Sequence, residues 1–155
     1  MKTLQITKAA EIARKYHKGS FRTSGEGNKI DYFKHCEGVA EMVSKITDDP
    51  EMICAAYLHD TIEDIEKADK KLSLESLTKE ISSLGINVLR YVEALSHDKN
   101  KEDYQAYIER IASDKKLRII KVCDMIWNVT ESPSDRQREK YRNSLFTLFS
   151  ALIKK

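Results

Sequence analysis

The chain has 155 residues, 41% hydrophobic and 34% charged, which suits one domain with its own core and excludes a disordered chain. Its 27 basic and 25 acidic side chains leave a formal charge of only +2. That balance excludes the one-sided basic excess of a non-specific nucleic-acid binder.

No apolar run approaches the ~20 residues of a membrane span, and charges interrupt the N-terminal MKTLQITKAAEIARK, unlike a signal peptide. The expectation is a cytoplasmic protein, one domain over residues 1–155, with neither nucleic acid nor membrane as partner. Cys36, Cys54 and Cys123 form no CxxC pair and sit among apolar or helical neighbours, so they are expected as reduced, buried thiols without chemistry.

Residues 3–18 bring Leu4, Ile6, Ala9, Ala10, Ala13, Tyr16 and His17 near one helical stripe, with Gly19 where a C-terminal cap belongs. SFRTSGEGNKID, residues 20–31, reads as a loop. Helical spacing resumes at Tyr32 and runs through His35, Val39, Met42, Val43 and Ile46. Asp49-Pro50-Glu51 combines an N-cap acceptor, an N1 proline and a first-turn acid. The run MICAAYLH that follows is apolar nearly all round and predicts a central helix.

Further along, Ser73 is expected to cap a helix to about Leu84, and another spans Asn87 to about Ser96. HDKNK at 97–101 is a polar break before helical spacing at Tyr104, Tyr107, Ile108 and Ile111. Asp114 can cap a long helix through Val129, and Ser132-Pro133 repeats the cap-plus-proline signal before a C-terminal helix. No period-2 stretch stands out. The expected architecture is an all-α bundle of about seven or eight helices.

Chemistry is signalled by polar groups on apolar helix faces, since burying an unpaired charge costs several kcal/mol. AAYLHDTIED brings His59, Asp60, Glu63 and Asp64 within six positions at the end of the apolar helix. Adjacent histidine and aspartate cannot fully share one helical face, but both can reach a metal at the helix end. His35 lies inside the core-facing YFKHCEGVAEMV, and Asp124 in IIKVCDMIWN has apolar neighbours on both sides. Two histidines and two aspartates from separate helices suit a divalent first-row ion, with manganese, iron or zinc all compatible.

These segments, in this order, resemble the HD phosphohydrolase superfamily, and within it the hydrolase domain of RelA/SpoT proteins and the single-domain small alarmone hydrolases. The resemblance rests on AAEIARKYHKGSFR, YFKHCEGVA, HDTIED and KVCDMIWN, and runs from about residue 4 to 130. It implies an HD-domain helical bundle with manganese on His35, His59, Asp60 and Asp124. It further implies that Glu63 and Asp64 orient and deprotonate the attacking water. Arg22 and Ser24 would flank the guanine base, and Asn128 would hold the sugar-phosphate part. The reaction implied is hydrolysis of the 3′-diphosphate of (p)ppGpp, with a small-molecule nucleotide as partner and no attached synthetase region.

Thr23 stands where that family places a lysine, the 22–32 loop is about four residues longer, and Glu131 follows Asn128 where an arginine is common. Lys18, Lys29, Lys34 and Lys121 are the candidate substitutes. SHDKNKEDYQAYIERI also resembles a less characterised branch of HD phosphohydrolases. His97 and Lys99 are nevertheless expected as solvated loop, Tyr104 as core stripe, and Trp127 as helix packing. Two other readings stay open: the same chemistry on another phosphorylated nucleotide, and a metal-binding regulatory module with little turnover.

Overall fold

The structure is a computed structural model and describes residues 2–23, 27–67, 74–131 and 134–153. The predicted caps at Ser73 and at Ser132-Pro133, and the site residue Ser24, lie outside the described residues. Within them run α1 (Lys2–Tyr16), β1 (Phe21–Thr23), β2 (Lys29–Asp31), α2 (Phe33–Ser44), α3 (Pro50–Leu58) and α4 (Thr61–Lys67). They are followed by α5 (Leu74–Ser82), α6 (Ile86–Leu95), α7 (Tyr104–Ser113), α8 (Lys115–Thr130) and α9 (Asp135–Ile153). No described helix is long and apolar enough to cross a membrane.

The helical bundle is as expected, and the apolar MICAAYLH helix is its centre. α3 packs on α1, α2, α6 and α8, with Met52, Ile53, Cys54, Ala55, Ala56 and Leu58 all buried. Asp49 starts it as predicted, its side chain accepting from the Glu51 amide at 3.0 Å ahead of Pro50. Asp114 does the same for α8, accepting from the Lys116 and Leu117 amides. The three cysteines are free and buried. Burial pushes the Cys54 and Cys123 thiols up to about 12 and 11, so they pack as apolar groups.

One feature differs from the sequence reading. The 20–31 loop contains a short antiparallel hairpin, with Phe21 opposite Asp31, Arg22 opposite Ile30 and Thr23 opposite Lys29. Three-residue strands are too short to show a period-2 pattern. The pairing nevertheless half-buries Arg22 and Ile30 while their strand neighbours stay exposed. The α3 helix stops at Leu58, so His59 and Asp60 stand at the end of the apolar helix as expected. Residues 59–60 form a turn, with the Thr61 hydroxyl donating to the Leu58 carbonyl at 2.7 Å, and α4 restarts the spiral.

Gly38 marks a close approach of α2 and α8. A Cβ built there would fall inside the Trp127 ring, so only glycine permits this packing. Gly38→Ala would ordinarily gain helix propensity of about 1 kcal/mol. The collision should instead make it destabilising by about 1–3 kcal/mol in urea unfolding.

Asp49 also pairs with Lys116 at 2.7 Å. Burial opposes its charge, but the Lys116 and Glu51 hydrogen bonds outweigh burial and hold the carboxyl below its ordinary value of 3.8. A lowered native value favours folding above 3.8, and that contribution is lost as pH falls through the native value. Asp49→Ala should therefore cost about 1 kcal/mol at pH 7. The gap to wild type should narrow in urea unfolding repeated at pH 3.

Candidate functional site

The four side chains expected to bind metal converge from three places in the fold. His35 comes from the start of α2, His59 and Asp60 from the turn between α3 and α4, and Asp124 from the buried face of α8. His35 Nε2 and His59 Nε2 lie 3.2 Å apart. Asp124 Oδ1 is 3.2 Å from the first and 3.6 Å from the second, and Asp60 Oδ2 is 3.6 Å and 3.2 Å from them. Ligands held about 2.0–2.2 Å from one ion stand roughly 2.8–3.6 Å apart in tetrahedral or octahedral arrays. The spacing of His35, His59 and Asp124 therefore fits a single divalent ion, all three being buried, and Asp60 Oδ2 approaches both imidazoles from the turn.

The surroundings aim these donors. His59 Nδ1 donates to the Ala56 carbonyl at 2.8 Å, which turns its Nε2 toward the cluster. His35 Nδ1 is buried without a hydrogen-bond partner among the described residues. Burial opposes charge on Asp124, yet Lys121 at 2.8 Å and the two imidazoles hold its carboxyl well below the usual range. Burial likewise opposes a charged His59, but Asp60 and Asp124 outweigh it and push the ring up to about 10.

Asn128 donates to Asp124 Oδ1 at 2.6 Å and accepts from Arg22 Nη2. Arg22 Nε pairs with Glu131 Oε2 at 2.9 Å, and Glu131 Oε1 accepts from Trp127 Nε1 at 3.1 Å. Glu131, which stands where the resemblance has an arginine, is thus the anchor of Arg22. Trp127 packs against α2 as expected and also holds that anchor.

A cavity of about 410 Å³ opens over Asp60 and Asp124. Arg22, Asn128 and Glu63 belong to its wall, with Glu63 Oε1 accepting from the His97 amide at 2.9 Å. Asp64 does not belong to it, and its Oδ2 faces His17 Nδ1 at 3.1 Å. Of the four substitute lysines only Lys121 lines the cavity, while Lys34 pairs with Glu37 on the surface.

His97, Lys99 and Tyr104 were expected as loop and core, but all three line the cavity. The reason is α9, which packs on α7 and α8 and closes a wall over the 97–104 segment with Lys140 and Tyr141. The Lys140 ammonium rests 3.8 Å from the Tyr104 ring centroid. Burial, with Lys121 and Lys99 nearby, lowers its pKa. Sequence reading missed Lys140 and Tyr141, because cationic residues on a partly apolar helix look like a solvated face. It also gave no role to Tyr32 and His17, although both stood inside the quoted motifs.

A family profile described as HD domain matches residues 9–155. The chain is 31% identical over 147 residues to the guanosine-3′,5′-bis(diphosphate) 3′-pyrophosphohydrolase of Haemophilus influenzae, covering 88% of this chain and 20% of that protein. It is 28% identical over 149 residues to a GTP pyrophosphokinase of Streptomyces coelicolor, covering 91% and 16%. The chain thus spans a fifth or less of the length of these curated relatives. Among solved structures, a metazoan ortholog of SpoT that hydrolyses ppGpp superposes with a TM-score of 0.70 at 21% identity, over 96% of this chain and 85% of that one. The bundle, the His-Asp turn and the profile match make this chain a member of the HD-domain family.

The converging cations generate a prediction about anions. Inorganic pyrophosphate should bind the cavity, and Lys140→Met should weaken it about tenfold, the scale of one charge-assisted hydrogen bond. Titration calorimetry at low and high salt measures this, and the difference should shrink as salt rises.

Proposed function

We propose that this chain is a metal-dependent phosphohydrolase that releases pyrophosphate from the 3′ position of (p)ppGpp, with manganese on His35, His59, Asp60 and Asp124. The observation that carries the proposal is one arrangement: three buried donors spaced for a single ion, with Asp60 against both imidazoles, beneath a cavity that also holds Arg22, Lys99, Lys121 and Lys140. Support also comes from the relatives named as 3′-pyrophosphohydrolases and from the ppGpp-hydrolysing activity of the metazoan protein. Thr23 is exposed beside the half-buried Arg22 on β1. The cations that a lysine at position 23 would have joined are drawn instead from the 97–101 turn, α8 and α9.

A divalent ion bound to the four donors supplies positive charge to the phosphoryl oxygens and acidifies water. The side chains do the remainder. Glu63 accepts a proton from the attacking water. Arg22 stacks on or flanks the base, held by Glu131, and Asn128 contacts the sugar-phosphate part while keeping Asp124 in place. The cavity lysines offset phosphate charge, which is most of what phosphoryl transfer asks of a protein. Water adds to the phosphorus bonded to the 3′ oxygen, that P–O bond breaks, and a proton returns to the leaving oxygen. The products are GDP or GTP and pyrophosphate.

The test is pyrophosphate release from ppGpp by purified protein with manganese. Release should vanish on chelation and in Asp60→Ala. In Glu63→Gln it should fall by about 10²–10⁴-fold with manganese binding retained. Full activity after chelation overturns the metal mechanism. Absence of release from a protein that binds manganese rejects ppGpp, and directs the search to other phosphorylated nucleotides.

A further inference from the structure

The two neighbouring acids of α4 diverge. Glu63 lines the cavity, whereas Asp64 is outside its wall and pairs with His17. His17 is completely buried at the turn following α1. Asp64 Oδ2 stands 3.1 Å from His17 Nδ1 as a charge contact, and among the described residues neither ring nitrogen of His17 completes a hydrogen bond.

The His17 ring lies flat on Tyr32, with centroids 4.7 Å apart and planes 19° apart. The Arg22 guanidinium carbon lies 5.3 Å from the Tyr32 centroid. Tyr32 is also held through its backbone: its N–H donates to the Ser20 carbonyl and its carbonyl accepts from the His35 amide, both at 3.0 Å. The ring therefore has little freedom, and its hydroxyl donates to Asp60 Oδ2 at 2.7 Å.

Asp60 needs that contact more than the other three donors do. It sits in the two-residue turn between α3 and α4, and its side chain is 21% exposed, against 5% or less for His35, His59 and Asp124. A partly exposed carboxylate on a turn samples several rotamers unless a neighbour selects one.

We infer that Asp64, His17 and Tyr32 form a positioning relay for Asp60, in which Asp64 orients His17, His17 braces the Tyr32 ring, and the Tyr32 hydroxyl fixes the carboxylate. Asp64 then serves ion binding through two intermediaries, while Glu63 alone of the pair faces the water. This assignment rests on the metal-centre reading above. It divides between two tasks a pair that the resemblance assigns to one.

The test is calorimetric titration of manganese into the metal-free protein, with no substrate, for wild type, Tyr32→Phe, His17→Gln, Asp64→Asn and Glu63→Gln. Kinetics at saturating manganese and thermal melting accompany it. Tyr32→Phe and Asp64→Asn should raise the manganese Kd by about 10–100-fold, the scale measured when a group supporting a metal ligand is lost. Their kcat at saturating metal should fall less than tenfold. Glu63→Gln should show the opposite split, and His17→Gln should follow Asp64→Asn.

Tyr32→Phe and Asp64→Asn proteins that fold normally and bind manganese as tightly as wild type overturn the relay. So does Asp64→Asn that loses kcat at saturating metal with an unchanged Kd, which returns Asp64 to the water beside Glu63. A wild type that binds no manganese overturns both the relay and the metal mechanism. A wild type that binds manganese but leaves ppGpp intact rejects the substrate while the titration still decides the relay.

Discussion

A charged carboxylate inside a helical bundle is the constraint on which this architecture turns. Asp124 lies on the buried face of α8, where an uncompensated charge would cost several kcal/mol, a large share of a domain's net stability. Everything within reach answers it. Lys121, one turn earlier, supplies a cation; Asn128, one turn later, donates to Oδ1; the two histidines of α2 and the α3–α4 turn complete the shell. Because these partners come from three helices, satisfying one charge fixes how α2, α3 and α8 lie against each other.

The arrangement also explains why the central helix is short. An unbroken helix would turn His59 and Asp60 about 100° apart around its axis, and only one would face Asp124. Ending the spiral at Leu58 lets consecutive residues point at the same place. The apolar α3 anchors that turn in the core, so the two donors stand on a rigid base although neither is in a helix.

Much of this was legible in the sequence because it depends on local rules. Asp49-Pro50 and Asp114 announce helix starts through backbone amides that need acceptors. His35, Asp60 and Asp124 are conspicuous because polar groups among apolar ones require an explanation. What escaped was set by distant packing. A three-residue strand has no periodicity of its own and exists because it finds a partner. Lys140 and Tyr141 look like a solvated surface until α9 folds over the 97–104 segment. Glu131 stands where the resemblance has an arginine and holds Arg22, more than a hundred positions earlier in the chain. Asp64 could not be told from Glu63, since adjacent acids differ only in the direction they point.

That α9 follows α2, α3 and α8 in the chain bears on how the protein is made. All four donors proposed for the ion lie at or before residue 124, whereas the wall carrying Lys140 and Tyr141 begins at residue 135. Chains are synthesised from the N-terminus, so the donors emerge from the ribosome before the last wall does. The proposed ion site is thus synthesised ahead of the wall that narrows its entrance, and α9 closes over it afterwards.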